Sequence, residues 1–95
     1  MKEKFMTRAI KLSIDSVNSG GGPFGCVIVK DNKIISEGSN EVTLKKDPTA
    51  HGEIVAIRKA CNNLNDFNLS GCELYTSCEP CPMCLAAIYW SHIDK

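Results

Sequence analysis

Hydrophobic residues recur along this chain with a changing period, and each change marks a new element. Over residues 3–19 the spacing is helical. Phe5, Ala9 and Leu12 fall on one line and Met6, Ile10, Ser13 and Val17 on another, with Lys4, Arg8, Lys11 and Asp15 towards water. Gly20-Gly21-Gly22-Pro23 predicts its end, since glycines and proline disfavour helix continuation. Phe24-Gly25-Cys26-Val27-Ile28-Val29-Lys30 is apolar on both faces, which predicts a central strand. Asp31-Asn32 reads as a turn, and Lys33-Ile34-Ile35-Ser36-Glu37 as the antiparallel partner. Ser39 to Lys46 is polar and predicts a loop over a pocket. Capping oxygens in Asp47 and Thr49, with Pro48 suited to a first turn, announce a helix over about residues 50–63. Ile54, Ile57, Cys61 and Leu64 form its expected buried stripe, opposite Arg58 and Lys59. Residues 72–77 predict a third strand, and Pro80 or Pro82 opens a last helix through Trp90. The run Leu85-Ala86-Ala87-Ile88-Tyr89-Trp90 is apolar on nearly every side, which predicts burial between neighbours.

The order helix, strand, strand, helix, strand, helix predicts a three-layer α/β/α arrangement with a mixed sheet, in one domain over residues 1–95. Five residues follow Trp90, where a crossover would normally return to another strand. The C-terminal strands are therefore expected to be missing.

Composition narrows the class. A chain 43% hydrophobic with zero formal net charge reads as globular, and its charge argues against a broad grip on nucleic acid. No apolar run approaches the roughly twenty residues of a membrane helix. Met1-Lys2-Glu3-Lys4-Phe5 lacks the apolar core of a signal peptide. With no export signal, six cysteines point to metal binding in a reducing cytoplasm rather than to a disulfide framework.

The chemistry concentrates in His51-Gly52-Glu53 and Pro80-Cys81-Pro82-Met83-Cys84. Zinc takes imidazole nitrogen and thiolate sulfur, and a catalytic zinc keeps one position open for water. His51, Cys81 and Cys84 supply three ligands, each expected in the first turn of a helix whose dipole favours thiolate. The i, i+3 spacing brings both sulfurs to one helical face. Glu53, not needed as a ligand, can carry protons. Two blander readings stay open: a closed Cys3His site that recruits Cys78, and a dithiol formed by Cys81 and Cys84. Cys26, Cys61 and Cys72 read as small core residues, and His92 as a surface or capping residue. By themselves Phe24 and Trp90 read as core, Asn40 as a turn residue and Gly25 as a point of close backbone approach.

The pattern H-x-E…P-C-x-x-C is the signature of zinc deaminases that act on nucleobases. Gly22-Pro23-Phe24-Gly25, Asp47-Pro48-Thr49-Ala50-His51-Gly52-Glu53 and Tyr75-Thr76-Ser77-Cys78-Glu79-Pro80-Cys81-Pro82-Met83-Cys84 resemble the cytidine deaminase superfamily over essentially the whole chain. With Ala87-Ile88-Tyr89-Trp90, they are most similar to its bacterial guanine deaminase branch. The resemblance implies hydrolysis of guanine to xanthine and ammonia. Zn2+ would be held by His51, Cys81 and Cys84, with Glu53 as catalytic proton carrier. It also implies Asn40 as a base contact, Phe24 and Trp90 as pocket walls, and a homodimer that exchanges C-terminal elements. Gly52 departs from the branch, which usually has alanine there, and is similar to fungal-type cytosine deaminases. Members of the superfamily also continue beyond this length, so the chain resembles an N-terminal portion. A tRNA adenosine deaminase is the next reading and cytosine deaminase the third. A zinc-stapled module without activity, or an incomplete gene product, is the alternative from another class. No membrane partner is expected, and a small nucleobase is favoured over nucleic acid.

Overall fold

A computed structural model of the chain describes residues 3–19, 24–77 and 80–93, with Leu44 by its backbone alone. The expected stop at Gly20-Gly21-Gly22-Pro23 and the alternative involving Cys78 lie outside the described residues.

The apolar run after Pro23 forms β1 (Gly25–Lys30), the middle strand of a sheet in the order β2-β1-β3. Its neighbours are β2 (Lys33–Ser39) and β3 (Cys72–Thr76), and both pair with it antiparallel. Asp31 and Asn32 carry φ of 52° and 64°, the left-handed pair that a two-residue hairpin turn needs to match strand twist. The register shifts between Ile28 and Val29, leaving Ile35 as the extra residue of a bulge.

Side chains alternate along β1 and so build two cores. Cys26 and Ile28 join Ala56, Ala60, Leu69 and Cys72 on one face; Val27 and Val29 meet Phe5 on the other. Helix α1 (Glu3–Asn18) covers the second face, and α3 (Gly52–Leu64) the first, with α4 (Pro82–Ser91) beside α3. The result is the three-layer α/β/α arrangement. The polar loop contains one short helical turn, α2 (Val42–Lys45).

One line of α1 is buried, at Phe5, Ala9, Ser13 and Ser16. Of the second line only Ser13 is buried; Met6, Ile10 and Val17 stay in water, with Ile10 47% and Val17 50% exposed, because a single helix lying on a sheet presents one line to it. Arg8 reaches across to β2, donating from Nε and an amino group to Glu37 at 2.6 and 2.9 Å.

In α3 the predicted stripe is displaced. Gly52, Glu53, Ile54, Val55, Ala56 and Ala60 are buried, while Ile57, Cys61 and Leu64 are half-buried flanks. Small residues cause this, because they let backbone approach backbone. A Cβ on Gly38 would lie 2.4 Å from the Gly52 carbonyl oxygen and 2.7 Å from the Ala56 nitrogen. The contact line is Gly52, Ala56 and Ala60, and Ser36 Oγ locks it by donating to the Ala56 carbonyl at 2.8 Å.

The expectation of a last helix buried between neighbours is corrected. Cys84 and Ser91 are its buried residues, while Leu85, Tyr89 and Trp90 are 54%, 75% and 74% exposed. Helix α4 packs on α3 along one side, and no described element covers the other.

Candidate metal centre

Two helices begin at the same place in the same way. His51 is the N-cap of α3, with φ −68° and ψ 160°; Cys81 is the N-cap of α4, with φ −71° and ψ 168°. Each starts its helix through its carbonyl, which accepts from Val55 N in one case and Leu85 N in the other, both at 2.9 Å. Neither side chain closes a capping hydrogen bond, and imidazole and thiol meet each other instead. Pro82 sits at the start of α4, where a missing N–H costs nothing. Cys84 follows Cys81 by three residues, which sets both sulfurs on one face.

His51 Nδ1 lies 3.6 Å from Cys81 Sγ and 3.6 Å from Cys84 Sγ. All three donor atoms fall within 4.8 Å of one another. Zn–N near ~2.05 Å and Zn–S near ~2.3 Å at a tetrahedral angle would put nitrogen and sulfur about 3.6 Å apart. One nitrogen and two sulfurs are also the donor set that zinc favours. The residues therefore fit a zinc ion by both spacing and chemistry. Among the described residues, no fourth His, Cys, Asp or Glu joins the cluster.

The two thiols differ electrically. The amides of Cys84 and Met83 point at the Cys81 sulfur and lower its pKa, although neither closes a capping bond. Burial pushes the Cys84 thiol up to about 12, with the neighbouring Cys81 and Glu53 adding to the effect. A bound cation would reverse that penalty, because a coordinating thiol is deprotonated outright. Glu53, 6% exposed in the first turn of α3, lies near enough to Cys84 to add to that rise, which places a carboxylate beside the donor cluster.

The segment before His51 is tied down by its own side chains. Asp47 Oδ1 accepts from Thr49 N at 2.9 Å and from Thr49 Oγ1 at 2.7 Å, and Arg58 donates to Asp47 Oδ2 at 3.0 Å. These donors hold the Asp47 carboxyl down to about 2. Glu41 N donates to the Ala50 carbonyl at 2.8 Å, bringing the loop that carries Asn40 alongside His51. Asn40 Oδ1 itself accepts from Val42 N at 3.0 Å, as a turn residue does.

The structure thus gathers His51, Cys81, Cys84 and Glu53, with Asn40 on the adjoining loop. Phe24 is 38% exposed and immediately precedes Gly25. Trp90 is not brought to the cluster. It lies six residues beyond Cys84, about 240° further round α4, and its ring meets Tyr89 edge-on at 5.9 Å. His92 is exposed at the left-handed C-cap of α4. Gly52 tolerates alanine: an added Cβ would meet the Gly38 carbonyl oxygen at 3.4 Å, an ordinary contact.

Cys26 lies near the cluster and carries no motif signal. Cys26 is fully buried, and burial, then the charges of Glu53 and Cys84, raise its thiol pKa. Strand parity was its one clue, since it shares the α3 side of β1 with Ile28. Ser77, at the end of β3, accepts through Oγ from Gly25 N at 3.0 Å.

Comparison with known proteins agrees with this geometry. Residues 1–95 match the cytidine and deoxycytidylate deaminase zinc-binding region. Guanine deaminase of Bacillus subtilis is 62% identical over 90 residues, covering 94% of this chain and 58% of the relative. A tRNA-specific adenosine deaminase of Aquifex aeolicus is 46% identical over 94 residues, covering 99% of this chain and 62% of the relative. The X-ray structure of the Bacillus subtilis guanine deaminase superposes with a TM-score of 0.91, over 94% of this chain and 57% of that one. The chain therefore spans about three-fifths of the length of these relatives.

Proposed function

Because this chain belongs to the cytidine and deoxycytidylate deaminase family, with its zinc-binding region spanning residues 1–95, we propose that it carries the metal centre of a hydrolytic base deaminase acting on guanine. The observation that carries the reading is the pairing of a three-donor cluster with a buried carboxylate that the cluster does not use as a ligand. His51 Nδ1, Cys81 Sγ and Cys84 Sγ would hold zinc, which would supply Lewis acidity and a lowered water pKa.

The chain's own residues do the rest. Glu53 takes a proton from the attacking water, hands it to a ring nitrogen, and takes and delivers a second as the amine departs. Water forms the new C–O bond, the exocyclic C–N bond breaks, and ammonia leaves. Burial of Glu53 keeps bulk water from competing for these protons. Asn40, on the loop beside His51, contacts the base edge, with Phe24 at the mouth of the pocket.

Guanine is favoured over other bases by the 62% identity to a guanine deaminase. A tRNA adenosine substrate is the second reading, supported by the 46% identity to the Aquifex protein. Zero formal net charge speaks against it, since phosphate recognition is bought with lysine and arginine. The test is ammonia release by zinc-loaded protein from guanine, from cytosine, and from an adenosine-bearing anticodon stem-loop. Release from guanine is expected; release confined to the stem-loop or to cytosine would move the assignment to that substrate.

A further inference from the structure

The end of β3 is finished by a side chain. Cys26 pairs with Thr76 in the β1–β3 register, so Gly25 stands opposite Ser77. At a hydrogen-bonded antiparallel pair, the two residues normally exchange both backbone N–H···O bonds. Here Ser77 N donates to the Gly25 carbonyl at 3.0 Å, but Gly25 N donates to Ser77 Oγ, also at 3.0 Å. The hydroxyl has taken the place of its own carbonyl. β3 ends at Thr76, and Ser77, anchored in this way, stands four residues before Cys81.

The other half of this latch is rigid. A Cβ on Gly25 would lie 2.3 Å from the Ala9 carbonyl oxygen and 2.7 Å from Ser13 N, so Gly25 is wedged against α1. Anchoring Ser77 to Gly25 therefore ties the chain to a fixed point four residues before the α4 N-cap. Cys81 has extended cap geometry and no side-chain capping bond of its own to hold it there.

We infer that Ser77 is a positioning residue for the metal centre, setting Cys81 Sγ at its distance from His51 Nδ1 by ending the β1–β3 ladder with its hydroxyl. The inference rests on the zinc-centre reading above. Without the hydroxyl, the Gly25 N–H loses its acceptor and the anchor four residues before Cys81 is lost. Threonine keeps the hydroxyl and with it the anchor.

The test uses cobalt(II) as a spectroscopic stand-in for zinc, with chelator competition for affinity, on wild type, Ser77→Ala, Ser77→Thr and Arg8→Ala. Supporting shells around metal ligands typically contribute about 10–100-fold to affinity. Ser77→Ala should therefore lose about tenfold or more and show altered thiolate-to-cobalt and d–d bands, with Ser77→Thr within about twofold of wild type. Arg8→Ala removes the paired bonds from α1 to Glu37 on β2 and should lower the urea midpoint of the metal-free protein without changing the cobalt bands. Wild-type affinity and bands in Ser77→Ala would overturn the inference, as would threonine failing like alanine or the same spectral change in Arg8→Ala. A wild-type chain with no tetrahedral cobalt spectrum would overturn the metal centre itself, and the inference with it.

Discussion

Asp47 shows how one side chain can hold the approach to a site. Its carboxylate accepts from Thr49 twice and from Arg58 once, immediately before the chain reaches His51. These contacts depress its pKa from 3.8 to about 2. A depressed carboxylate contributes stability above its unfolded pKa and loses it as pH falls through the folded value. The urea midpoint of Asp47→Asn should thus lie below wild type from pH 7 down to about pH 5, with the gap closing between about pH 4 and pH 2. A gap constant across that range would show that Asp47 acts without its charge. At this scale the clustering of His51, Cys81 and Cys84 beside Glu53 was legible, because motif spacing alone puts two sulfurs on one helical face and a carboxylate beside the histidine. The Asp47–Arg58 pair was not: its partners are 11 residues apart and meet because a turn folds back onto a helix. The Ser77 hydroxyl was equally hidden, since nothing in the sequence says which oxygen ends a ladder.

Among elements, the seat of α3 on β2 decides where His51 ends up. The approach is set by Gly38, whose missing Cβ makes room for the Gly52 carbonyl and the Ala56 nitrogen. Both obstacles are backbone, so Gly38→Ala must push α3 outward and should cost about 1–3 kcal/mol, as overpacking does. Gly52→Ala meets its neighbour at 3.4 Å and should lie within about 1 kcal/mol of wild type, on the favourable side through helix propensity. Urea unfolding of the two variants checks this, and equal losses would refute the close-approach account. The same geometry explains why the buried stripe of α3 was misplaced from the sequence. Periodicity weights large apolar residues such as Ile57 and Leu64, whereas the sheet-facing line is made of glycine and alanine. The strands and the hairpin were legible because β1 is apolar on both faces and Asp31-Asn32 suits a two-residue turn.

For the molecule as a whole, the sequence led astray where hydrophobicity was taken to mean burial. Leu85, Tyr89 and Trp90 are apolar yet exposed, because burial needs a partner surface and pattern alone does not supply one. Trp90 is the chain's one tryptophan, so its fluorescence reads this face directly. The isolated 95-residue chain at low concentration should emit as a water-exposed indole and be quenched readily by acrylamide. Blue-shifted, protected emission would mean that another surface covers α4. The layers themselves follow from the alternation along β1, which sends Val27 to α1 and Ile28 to α3 and leaves the helix starts at His51 and Cys81 facing one another.

The central claim is that three side chains hold the metal while a fourth, buried against them, moves protons. The measurement that tests it most directly pairs zinc content with ammonia release from guanine in wild type and Glu53→Gln. General acid–base groups typically contribute about 10²–10⁴-fold. The account predicts that Glu53→Gln keeps about one zinc per chain, as the three-donor site requires, while ammonia release falls by at least ~10²-fold. Loss of zinc from Glu53→Gln, or ammonia release undiminished with zinc in place, would contradict it.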